Sequence, residues 1–173
     1  MNRNFNEWLS TMKDSIATWK YYTDFEKVYR NVESMKVELH ILNSLIGSKN
    51  IENEFKQLFQ EYPKTLKVIP ILLAKREKEI KITDAEKDYL FNFNNPNYTI
   101  EEYTKFMRKT GLFDLLENHI INNLVDYVTG VEVGMDTNGR KNRTGDAMED
   151  LVESYLIKYG LENGISYFKE MKK

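Results

Sequence analysis

Between Gly134 and Glu149 the chain reads GMDTNGRKNRTGDAME, the stretch best equipped to hold a phosphate or read a base. Arg140, Lys141 and Arg143 place three cations close together with no acid between them, in a chain whose formal net charge is −2. Asn138 and Asn142 are interleaved with them and Thr144 follows. Guanidinium, ammonium and carboxamide groups are the donors that contact phosphate oxygens and pair with guanine or adenine edges. Gly139 and Gly145 flank the cations, so the composition predicts a flexible basic loop that runs into a helix N-terminus, where anions are favoured.

The acids Asp146, Glu149, Asp150 and Glu153 come next. Acids in a first helical turn stabilise the helix dipole, which accounts for Asp146. Glu149 differs, because Val152, Glu153 and Leu156 follow it at i+3, i+4 and i+7, placing it at the edge of an apolar stripe from which a carboxylate can face a cleft. The two histidines, His40 and His119, fall in predicted helices among apolar residues, and without cysteine they make no ordinary zinc site. No GxSxG elbow or Walker loop is present. Glu170-Met171-Lys172 has the acid-x-lysine spacing of a metal-dependent nuclease but no apolar strand to hold it.

Helices must position these residues. Phe5, Trp8, Leu9, Met12, Ile16 and Trp19 recur at helical spacing, and the pattern from Asp24 to Gly47 predicts one long helix. A third helix is expected after Asn50, stopping at Tyr62-Pro63, and 64–76 is expected to be helical with a kink or break at Pro70. Alternation predicts a small hairpin from Glu79–Thr83 and Asp88–Phe93, followed by an asparagine-rich loop over 92–97 that is the expected internal boundary. Thr99 and Glu102 form a capping box for a helix ending at Gly111. The next helix is expected to bury Phe113, Leu116, Ile120, Leu124 and Val128 and to close at Gly130. After the basic loop, Thr144 caps a helix burying Met148, Leu151, Val152, Tyr155, Leu156 and Tyr159 and ending at Gly160.

With 173 residues, 41% hydrophobic, the chain can bury a substantial core without disulfides, which its lack of cysteine excludes. No signal-peptide core opens it and no apolar run approaches membrane-spanning length, so the reading is cytoplasmic, with no membrane partner. The balanced charge confines any nucleic-acid contact to a local patch.

The segments FNEWLSTM, YYTDFEKVYRNVES, LNSLIGSKNI, YTIEEYTKFMRKTGLFDLLENHIINN and VDYVTGVEVGMDTNGRKNRTGDAMEDLVESYL together resemble the DpnII and MboI family of type II restriction endonucleases across the whole chain. The resemblance implies cleavage of unmethylated double-stranded DNA at GATC, with Mg2+, by a homodimer built on a PD-(D/E)XK core. In such a core an early helix supplies a glutamate near the metal, and Glu149 matches that position as catalytic and metal-binding residue. The family's essential aspartate and acid-x-lysine pair come further downstream, and the chain stops at Lys173 before any counterpart. The expectation is therefore a mainly α chain: a helical N-terminal domain over 1–130 with a small hairpin, then over 131–173 a DNA-contact loop and the first helix of a truncated α/β nuclease core. Such a fragment is expected not to cleave DNA alone. DNA contacts are expected from Asn138, Arg140, Lys141, Asn142, Arg143 and Thr144. The competing reading is a non-catalytic helical module for DNA positioning or dimerisation.

Overall fold

A computed structural model describes residues 19–83 and 88–168, without the side chains of Lys20, Tyr21, Arg143, Asp146 and Ala147. The N-terminal helix expected from Phe5 and the Glu170-Met171-Lys172 spacing lie outside the described residues. Among the described residues the chain is mainly helical, with one two-stranded sheet. It divides into two compact units, Phe25–Asn138 and one whose described part is 19–24 with 139–168.

In the first unit, α2 (Phe25–Glu33) follows the short α1 (Trp19–Tyr22) of the other unit, and α3 (Lys36–Leu42) continues into a 3-10 turn, Asn43–Leu45. The long helix expected from Asp24 to Gly47 is thus broken at Ser34-Met35. There the Ser34 hydroxyl donates to the Asn31 carbonyl at 2.6 Å, and the Met35 N–H donates to Val32, closing a turn. Gly47 ends the segment with φ +75°, the left-handed geometry that glycine adopts without steric cost.

Helix α4 (Ile51–Glu61) stops before Pro63 as expected. The stretch after it is a 3-10 run, Pro63–Val68, and a short α5 (Ile69–Leu72). Pro70 therefore sits in the first turn of a helix, where its missing N–H is harmless, rather than kinking one. Strands β1 (Glu79–Thr83) and β2 (Asp88–Asn92) pair antiparallel with Ile80 opposite Phe91, and the Phe93 N–H extends the pairing to the Lys78 carbonyl.

The 92–97 loop lies inside this unit, cross-braced by the Asn92 and Asn97 side chains. Helix α6 (Ile100–Lys109) opens on the expected Thr99–Glu102 capping box. The helix expected over 113–130 is in fact two. Helix α7 (Leu112–Glu117) ends, the chain turns through His119 at φ +52°, and α8 (Leu124–Lys158) begins where Asn123 accepts the Val125 and Asp126 N–H groups and Asn43 accepts that of Leu124 at 2.8 Å. Ile121, not Ile120, enters the core.

That core joins Leu39, Leu42, Phe55, Leu66 and Ile69 from the first helices to Phe91, Phe93, Tyr103, Phe106, Phe113 and Val128. Phe91 and Phe93 meet Tyr103 and Phe106 edge-on, and the Tyr103 hydroxyl donates to the Asn92 carbonyl. Burial pushes the Tyr103 hydroxyl above the usual phenol range. Both histidines, expected among apolar neighbours, are exposed. No helix among the described residues is long and apolar enough to cross a membrane.

Candidate nucleic-acid interface

Helix α8 runs without interruption through the stretch expected to be a loop. The reason is energetic. Proline is absent from 124–158, and Arg, Lys, Met, Glu and Ala are good helix formers. Each interior glycine costs only about 1 kcal/mol relative to alanine. Gly130, Gly134 and Gly145 all take helical rather than left-handed backbone, so Gly130 closes nothing. Thr144 is not a cap either: its hydroxyl donates to the Arg140 carbonyl one turn back, at 3.0 Å.

The helical setting changes what these side chains can do. Asn138 is exposed at the end of the first unit. In the second unit Lys141, Asn142 and Thr144 are exposed, and Arg140 is half-buried with its guanidinium 3.7 Å from the Asp24 carboxylate. Arg143 lies among the side chains not described. At 100° per residue, Lys141 and Asn142 fall on the same side of α8 as Glu149, two turns or about 12 Å along the axis. One helix face thus carries an ammonium and a carboxamide at one end and a carboxylate at the other.

Glu149 is exposed and lines a groove of about 370 Å³ with Met148, Val152, Glu153, Tyr167 and Phe168. Glu153, one turn on, is held there, because its carboxylate accepts the Tyr167 hydroxyl at 3.1 Å and the Asn163 amide at 3.2 Å. Tyr167 is brought back by a tight turn at Gly164, φ +85°, whose N–H donates to the Tyr167 carbonyl at 2.7 Å. Sequence reasoning missed Tyr167 and Phe168 because 161–173 shows no periodicity.

Met148, Leu151, Val152, Tyr155 and Tyr159, expected to be buried, are exposed. Glu149 and Glu153 are two carboxylates one turn apart, and no group of three potential metal ligands occurs among the described residues. On their own these residues do not make up a magnesium cage.

A different arrangement holds α8 within the first unit. Glu132 and Asp136, one turn apart, are only 2% and 4% exposed. Glu132 accepts from the Arg76 guanidinium at 2.6 Å and the Asn31 amide at 3.0 Å, and Asp136 pairs with the Lys27 ammonium at 3.2 Å. Buried carboxylates need such partners.

The family model described as DpnII restriction endonuclease matches residues 4–173. The chain belongs to the DpnII restriction endonuclease family. It is 63% identical over 171 residues to the type II restriction enzyme DpnII of Streptococcus pneumoniae, covering 98% of this chain and 59% of that protein. Against MjaIII of Methanocaldococcus jannaschii it is 45% identical over 158 residues, covering 88% of this chain and 54% of that protein. Against MboI of Moraxella bovis it is 38% identical over 170 residues, covering 98% and 59%. Both are likewise type II restriction enzymes. The chain spans somewhat over half the length of these relatives. No solved structure matches it.

Proposed function

We propose that the chain forms part of a type II restriction endonuclease that cuts unmethylated double-stranded DNA at GATC, with Mg2+, as a homodimer. The observation that carries this reading is the match to the family across residues 4–173. In support, the second unit offers Lys141 and Asn142 for the DNA and Glu149 as one metal-binding carboxylate along a single helix face. Arg140 and Arg143 add charge to the same segment, while Asn138 and Thr144 can donate to phosphate oxygens. When bound, Mg2+ would activate water and stabilise charge at the scissile phosphate. Since Glu149 and Glu153 are too few to hold it, the remaining ligands would come from outside the described residues. We likewise propose that the 173-residue chain by itself leaves GATC duplex uncut, a reading supported by the lack of a group of three potential metal ligands among the described residues.

The test is Glu149→Ala in the complete enzyme. Cleavage of a GATC duplex in Mg2+ should fall at least about a hundredfold, or ~2.7 kcal/mol of barrier, while duplex binding without metal persists. Unchanged cleavage would instead favour a helical module that positions DNA or dimerises without chemistry. That second reading draws on the exposure of Glu149 and on the lack, among the described residues, of a group of three side chains able to hold a metal ion.

A further inference from the structure

We infer that a second groove, inside the Phe25–Asn138 unit and separate in sequence from the 138–144 cations, binds phosphates of a DNA backbone; this rests on the reading of the protein as a DNA-cutting enzyme. The groove has a volume of about 280 Å³, and four cations, Lys67, Lys75, Arg76 and Lys78, line it against two carboxylates, Glu77 and Glu132. Two of the cations are already neutralised. Lys67 pairs with Glu38 at 2.6 Å, and Arg76 pairs with Glu132 at 2.6 Å.

Lys75 and Lys78 have no ion-pair partner among the described residues, and both are exposed. Isolated surface lysines would mean little. These two share a concave wall with the buried Pro70 and Ile71, and apolar walls of low dielectric concentrate the field of charges set beside them. Asn94 also lines the groove, and a carboxamide is a donor of the type used on phosphate oxygens.

The backbone that presents the lysines is held firmly. Helix α5 ends with the Ala74 N–H donating to the Ile71 carbonyl and the Lys75 N–H reaching back to that of Pro70, both at 3.0 Å. This closure puts Ala74, which is not a glycine, at φ +53°. A left-handed alanine is strained backbone, and such strain gathers where a segment must face a ligand. Three residues after Lys75, the Lys78 carbonyl accepts the Phe93 N–H at 3.0 Å, which fixes the second lysine to the base of the hairpin.

The experiment is a titration of the full-length protein with a short GATC duplex over a series of salt concentrations. For Lys75→Ala/Lys78→Ala the slope of log affinity against log salt should become shallower by about 0.9 per lysine, roughly 1.8 in all, with the preference over a duplex lacking GATC retained. Lys75→Arg/Lys78→Arg should restore the slope. Lys49→Ala/Lys64→Ala, which removes equal charge elsewhere on the surface, should leave it unchanged. A slope for Lys75→Ala/Lys78→Ala equal to that of this control overturns the groove while leaving the enzymatic reading intact. A wild-type protein that binds no duplex overturns both. Inorganic phosphate that occupies the groove, seen as shifts of the Lys75 and Lys78 resonances that duplex does not cause, assigns it to a free anion and also overturns the proposal.

Discussion

Gly47 shows how much one backbone angle can carry. At φ +75° it turns the chain after Leu45, donates its N–H to the Leu116 carbonyl at 3.0 Å, and lies beneath the His119 ring, whose Nε2 a methyl group would approach to 2.4 Å. That ring is the end of an exposed side chain and can swing aside, so the cost of Gly47→Ala is mostly the left-handed backbone, about 1–2 kcal/mol. A urea unfolding midpoint should show this loss, and adding His119→Ala should recover little of it. Complete recovery would mean that the steric contact, not the angle, sets the cost. The turn at Gly47 is readable from sequence because glycine follows a periodic run. The exposure of His119 is not, since a residue at φ +52° between two helices is indistinguishable in sequence from one inside a single longer helix.

Among the elements, α8 separates what periodicity reports from what it leaves open. The hairpin, the capping box and the helix ends at Pro63, Gly111 and Gly160 follow from strong local chemistry and stand where the sequence puts them. The loop expected over 134–149 fails because glycine and polar residues only weaken a helix, whereas proline would have stopped it. The helical setting makes a direct prediction. Gly145 has helical backbone and nothing within 4 Å of an added methyl, so Gly145→Ala should raise the thermal midpoint, by about 0.5–1 kcal/mol of stability, together with the helical circular dichroism signal. A lower midpoint would return the segment to a loop with left-handed glycine. The 148–159 stripe makes the complementary point: a helical period identifies the apolar face but not what covers it. For the same reason Glu149 was legible as a stripe-edge carboxylate, whereas the turn that brings Tyr167 beside Glu153 was not.

Within the Phe25–Asn138 unit, Arg108 ties three helices together by ionic contacts laid over the apolar core. Arg108 of α6 contacts Glu52 of α4 at 3.1 Å and, from α7, Asp114 at 3.0 Å and Glu117 at 2.8 Å. The Glu117 hydrogen bond holds Arg108 well above the usual guanidinium range, and Arg108 holds Glu117 below its ordinary value of 4.5. A carboxylate whose folded value is depressed adds stability that is present above its unfolded value and lost as pH falls through the folded one. Wild type should therefore be more stable than Glu117→Gln near neutrality, and the gap should close in urea melts as pH drops below about 4.5. A gap independent of pH would mean that the bond does not depend on the carboxylate charge.

The beginning of α8 bears on how the chain folds. Its leading N–H groups are shared between Asn123, next door, and Asn43, 81 residues earlier. A helix start that borrows its cap from so far up the chain is complete only after the ends of a long loop have met, which is slow because of the entropy lost on closure. The longest helix of the chain thus gains its full N-terminal cap late in folding, once the segment bearing Asn43 has docked.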